Sequence, residues 1–290
     1  MQLQEMLVAP FTEFAFMRRA LAGSIALAIA SPPLGVFLIM RRMALTGDAV
    51  GHAILPGAAL GYLLAGLSLG PMTIGGLVAG LAVAIGSGVV SRTTILREDT
   101  SLAAFYLISL SLGVTIVSVH GSNIDLLHVL FGSVLALDDT TLFLLATIAS
   151  LTLLALALLY RPLVLETVDA GFLASVSRSG GVVQVAFLAL VVLNLVGGFH
   201  ALGTLLAVGM MMLPAAAARL MTLEMTAMLV IAVALGAAAG YAGLIISFYA
   251  GLPSGPVIIM TAGLFYLIAL VFGPAGGFLR RLRPRRHLEG

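Results

Sequence analysis

Asp48 and His52 stand four residues apart in the stretch Gly47-Asp48-Ala49-Val50-Gly51-His52. On a helix that spacing puts both side chains on one face. A carboxylate and an imidazole that converge there suit a divalent transition ion. Gly47, Gly51 and Gly57 flank the pair and leave room for a neighbouring helix or an ion. The competing reading makes Asp48 a helix N-cap and His52 a core histidine. Metal contact is preferred, because ionisable groups at membrane depth cost roughly 2.5–3.5 kcal/mol each and by default mark a pathway.

Three other histidines are weaker candidates. His120, Asp125 and His128 fall in one connecting segment, with Asp125 and His128 on a shared helical face, and His200 falls at a Gly197-Gly198-Phe199-His200 interruption. All are expected on the outer side, where an ion would enter. Met210, Met211 and Met212 precede Pro214. Thioethers are soft ligands, but adjacent helical residues point in different directions, so packing beside a proline is the expected role.

Much other chemistry is excluded. The chain has no cysteine, which removes thiolate ligands, disulfides and thiol catalysis. All 14 basic residues are arginine, so there is no lysine for a phosphate-binding P-loop or a Schiff base. Neither a His-Glu-x-x-His helix nor a Gly-x-Ser-x-Gly elbow occurs, so an intramembrane enzyme has no nucleophile and base to stand on. The net charge of +2 gives no sign of a nucleic-acid partner.

The elements that position these residues follow from composition. The 290 residues are 61% hydrophobic and 9% charged, against about 25% charged in a soluble domain. The chain is read as an all-α integral membrane protein. A spanning helix needs about 20 apolar residues. Stretches free of Asp, Glu and Arg give nine spans, or eight if one segment only re-enters: 20–40, two within 49–91, 100–124, 140–160, two within 179–218 and two within 225–279. The run 126–137 is too short to cross and is read as a half-helix at one surface. With the segment 161–181 inside, 12 of 14 arginines fall on the cytoplasmic side and only Arg18 and Arg19 outside, as the positive-inside rule requires. Gly57 and Gly61, Gly76 and Gly80, and Gly236 and Gly240 recur at four-residue spacing, which reads as close helix packing in lipid.

Residues 1–17 form an outer interfacial segment, 18–279 one transmembrane domain and 280–290 a basic cytoplasmic tail. Within 161–181, Val168, Phe172 and Val176 share a face while Glu166, Asp169 and Arg178 lie elsewhere. The segment exceeds the 2–8 residues of an ordinary helix connection. It is read as an amphipathic docking helix for another protein, with a membrane-surface helix as the alternative. The tail arginines 280, 281, 283, 285 and 286 suit contact with anionic lipid.

Four motifs in order carry a family resemblance. They are GVFLIMRRMALTGDAVGHAILPG (35–57), DLLHVLFGSVL (125–135), ALGTLLAVGMMMLPAAAAR (201–219) and LPSGP (252–256). The chain resembles, from about Phe16 to Pro274, the permease subunits of zinc, manganese and iron ABC importers. The resemblance implies a homodimer with the architecture of the cobalamin and siderophore importers, in a bacterial plasma (inner) membrane. It implies an ATP-binding cassette subunit docked beneath and an extracytoplasmic metal-binding protein that delivers the ion. It makes 161–181 the coupling helix, with Glu166, Asp169, Phe172 and Arg178 as ATPase-coupling residues, and Asp48 and His52 the metal contacts.

The expected cargo is Zn2+, then Mn2+, with Fe2+ third; no intrinsic cofactor is expected. The rival is an ion-coupled secondary metal transporter, which would show inverted repeats. The motif at Gly47 to Gly57 has no counterpart in the second half.

Overall fold

In lipid every backbone N–H and C=O must be paired within its own segment, so long apolar runs become helices. The computed structural model describes residues 2–66, 68–96, 98–119, 134–168 and 180–279. Eleven helices follow in order among those residues: α1 (Gln2–Glu13), α2 (Ala15–Met40), α3 (Ala44–Ala53), α4 (Leu55–Ala65), α5 (Leu69–Thr93), α6 (Glu98–Val119), α7 (Asp139–Val168), α8 (Gly180–Leu202), α9 (Thr204–Met221), α10 (Met225–Ala250) and α11 (Ser254–Phe272). A 3-10 turn, Val134–Ala136, precedes α7.

Among the described residues, eight stretches are long and apolar enough to cross a membrane, with α3 and α4 together counted as one. Helix α6 carries a shorter apolar run, Thr100–Ile116. The expected eight or nine spans match these elements.

Helix α2 is the axis of the bundle. It packs against α7, α9 and α10, and α3 to α6 form a second group resting on α8 and α9. Helix α2 runs parallel to α7, and among the described residues an ion pair joins them at each end. Arg19 Nε lies 2.8 Å from Asp139 Oδ1 at their N-terminal ends, and Arg41 Nη2 lies 2.8 Å from Glu166 Oε2 at their C-terminal ends.

The glycine pairs serve close packing. Gly57 and Gly75 meet backbone to backbone in the α4–α5 hairpin, Gly76 and Gly80 accept Ile54 and Val192, and Gly236 and Gly240 lie against Ala28, Pro32 and Ser24 of α2. Polar glue is sparse. Asn194 of α8, 2% exposed, donates from Nδ2 to Thr152 Oγ1 of α7 at 2.7 Å and to the Leu190 carbonyl at 2.9 Å.

Two boundaries differ from the sequence expectation. The interruption expected at Gly197 to His200 is not one: α8 runs on to Leu202, and the break is Gly203, at φ 91°. Gly197 and Gly198 instead admit Ile148 of α7 and Ala207 of α9. Their small size serves packing, whereas Gly203 supplies the positive φ that other residues avoid. The second difference is at 161–168. These residues continue α7 rather than starting a separate helix. Leu163 is fully buried in the same apolar cluster as Leu156 and Phe187, so burial carries the helix past Pro162.

Candidate functional site

Helix α3 starts at Ala44 after a tight stop in α2. The Arg42 amide donates to the Ile39 carbonyl at 3.0 Å and the Met43 amide to the Leu38 carbonyl at 2.8 Å, with Arg42 at φ 61°. That is a Schellman ending, built on arginine in place of the usual glycine. Asp48 therefore sits in the second turn of α3, and Met43 occupies the N-cap position. The capping alternative for Asp48 does not hold.

His52 Nε2 lies 3.7 Å from Asp48 Oδ1, with the side chains 34% and 66% exposed. Leu45, 73% exposed, extends the same open face. The adjoining face is dry. A Cβ on Gly47 would stand 2.8 Å from the Met212 methyl, and one on Gly51 3.2 Å from Val208 Cγ2. Glycine lets α9 approach there, and that approach turns Asp48 and His52 outward. Met210 and Met211 are fully buried, in keeping with packing.

Immediately beyond His52 the span breaks. Helix α3 ends at Ala53, and α4 restarts with Pro56 in its first turn, where its missing N–H is harmless. Helix α6 supports the break. Ser109 Oγ donates to the Ala53 carbonyl at 2.9 Å, and a Cβ on Gly113, one turn on, would lie 3.0 Å from the Pro56 nitrogen.

Among the described residues, no three His, Cys, Asp or Glu side chains gather into one metal-holding group. His120, Asp125 and His128 lie outside the described residues, as do Asp169, Phe172 and Arg178. The backbone of His200 lies in the last turns of α8; its side chain lies outside the described set. Glu166 is described, and its carboxylate turns inward to Arg41, with the two side chains 15% and 9% exposed.

Three residues escaped the sequence reading. Arg41 counted there only as a topology charge, yet its guanidinium also lies 4.7 Å from the centroid of the buried Phe187 ring. Asn194 stands in the sequence as an amide inside a long apolar run, a signal that ionisable residues alone do not carry. Ser109 carries no signal, since serine is common in membrane helices.

The chain matches the ABC 3 transport family over residues 13–273. It is 33% identical over 262 residues to the manganese import system permease protein ScaB of Streptococcus parasanguinis, covering 90% of this chain and 92% of that one. It is 27% identical over 277 residues to a Haemophilus influenzae protein named as a probable iron transport system membrane protein, covering 96% of each. Among solved structures it superposes on a chain of PsaBC from Streptococcus pneumoniae in complex with Fab, with TM-score 0.84 and 30% identity over 98% of this chain and all of that one. An all-helical permease with this outward pair on α3, matched along nearly its full length, belongs to the ABC 3 transport family: a multi-pass transport subunit of a bacterial plasma membrane, and not an enzyme.

Proposed function

We propose that this permease forms, as a homodimer, the translocation path of an ATP-driven importer of divalent transition metal, with Asp48 and His52 as transient ion contacts. One observation carries the reading. A carboxylate and an imidazole share an open face of a spanning helix, and the described part of one chain brings no third ligand to them. A carboxylate facing lipid at depth is costly. A water-filled path or a second copy on that face removes the cost. Two copies about a two-fold axis supply four ligands and two negative charges, which offset the ion's charge. Imidazole ligands favour transition ions over magnesium and calcium. Loose ligation suits passage, because an ion held too well cannot leave.

Manganese is the preferred cargo, followed by iron, since relatives bear those names. Zinc, the preference drawn from histidine count, ranks after them. Hydrolysis falls to a separate ATP-binding subunit docked near residues 161–181, and delivery to an extracytoplasmic metal-binding protein.

The test is uptake of labelled manganese by proteoliposomes holding the permease and its ATP-binding subunit. ATP-dependent uptake is expected from the wild type, with loss in the double variant Asp48→Ala, His52→Ala. Undiminished uptake by that variant sinks the site assignment.

A further inference from the structure

We infer that the Arg41–Glu166 pair is the positioning link that passes motion from the ATPase-docking segment to the helix bearing Asp48 and His52. The inference rests on the ATP-driven reading above.

The covalent neighbours of each partner make the case. Glu166 is in the last turn of α7, whose described residues end at Val168, directly before the segment read as the docking helix. Arg41 is the C-cap of α2. After it come only Arg42 and Met43, locked in the Schellman stop, and then α3 with Asp48 in its second turn. A displacement at the root of the docking segment therefore reaches α3 through one charge-assisted bond of 2.8 Å and one rigid turn.

The bond is built to transmit. The arginine side chain is 9% exposed and its carboxylate partner 15%, so screening by water and salt is weak. Arg41 is also seated over Phe187, which stacks edge-on against Phe37 with ring centroids 6.1 Å apart. Helices α2, α7 and α8 thus meet at one guanidinium. The Arg19–Asp139 pair at the far end of the same helices differs: its side chains are 42% and 81% exposed, and such pairs hold little. The tight joint lies at the ATPase end.

Replacing a buried ion pair by apolar residues of similar volume is often neutral for stability, whereas removal of one partner strands a charge. That separates a structural role from a transmitting one. The permease is reconstituted with its ATP-binding subunit, and manganese moved per ATP hydrolysed is measured for the wild type, Glu166→Gln, and the apolar pair Arg41→Met, Glu166→Leu. The expected result is a fall in that ratio of about fivefold or more in both variants, the lower end of ordinary site-to-site coupling, with the ATP-binding subunit still co-purifying. A wild-type ratio in the apolar pair overturns the inference, because packing alone then suffices. Loss of the ATP-binding subunit in step with transport also overturns it, because Glu166 then belongs to the docking contact. If Glu166→Gln fails to fold, the apolar pair, which removes both charges of the Arg41–Glu166 bond together, decides alone. A wild-type complex without ATP-dependent uptake defeats the importer reading itself; variants unchanged beside a working wild type defeat only this link.

Discussion

The Ser109 hydroxyl donates to the Ala53 carbonyl at 2.9 Å, one residue beyond His52, where the second span breaks. It is a buried bond between α6 and the helix that carries the proposed ion contacts. Ser109→Ala leaves that carbonyl without its hydroxyl donor, at a cost of about 1 kcal/mol. A lower melting midpoint in detergent and slower manganese uptake are expected, with recovery in Ser109→Thr. Equal uptake by Ser109→Ala and wild type would remove Ser109 from the positioning of His52.

Asp48 and His52 behave differently, because their side chains are 66% and 34% exposed and neither fills the core. Asp48→Ala and His52→Ala each shift stability by no more than about 0.5 kcal/mol, as is usual for exposed sites. Each is expected to abolish most uptake. Thermal unfolding alongside uptake checks both, and a large loss of stability would mark the pair as structural.

Leu45 tests the proposed second copy. It is 73% exposed on the same face as Asp48, and the chain has no cysteine of its own. Leu45→Cys is expected to give a cross-linked dimer in membranes under a short bifunctional thiol reagent. Tyr249→Cys, 50% exposed near the end of α10 and away from α3, is expected to stay monomeric on the gel. The reverse pattern would move the dimer axis off α3.

Gly57 and Gly75 touch through their backbones, so a methyl group on either meets the other's carbonyl oxygen. Gly57→Ala is expected to cost about 1–3 kcal/mol, as overpacking does. Unchanged thermal stability of the purified variant would show that α4 and α5 separate readily.

Asp138 gives a pH dependence. It precedes α7, and its Oδ1 accepts the Thr141 amide at 2.9 Å. Thr141, through its side chain first and its amide second, holds the carboxyl below its usual 3.8. A lowered folded value stabilises the fold above the unfolded value, and the effect is lost as pH falls through the folded one. The melting advantage over Asp138→Asn is therefore expected to be flat at neutral pH and to vanish in acid. A constant difference down through that range would exclude the charged cap.

The membrane class, the span count and the placing of Asp48 and His52 on one helix face were legible in the sequence. Each depends on local properties: apolar length and a four-residue period. The divisions expected within 49–91 and 225–279 fall at Gly66 and Gly251, glycines between two long apolar runs. Tertiary structure decided the rest. Gly197 and Gly198 look like a break, but they admit Ile148 and Ala207, and Gly203 does the breaking. Glu166 reads as one charge on a docking helix, but α7 carries it inward to Arg41, 125 residues away. A side chain's type and spacing name the partners it suits. Which partner it meets depends on how distant helices pack, and that is a property of the whole bundle.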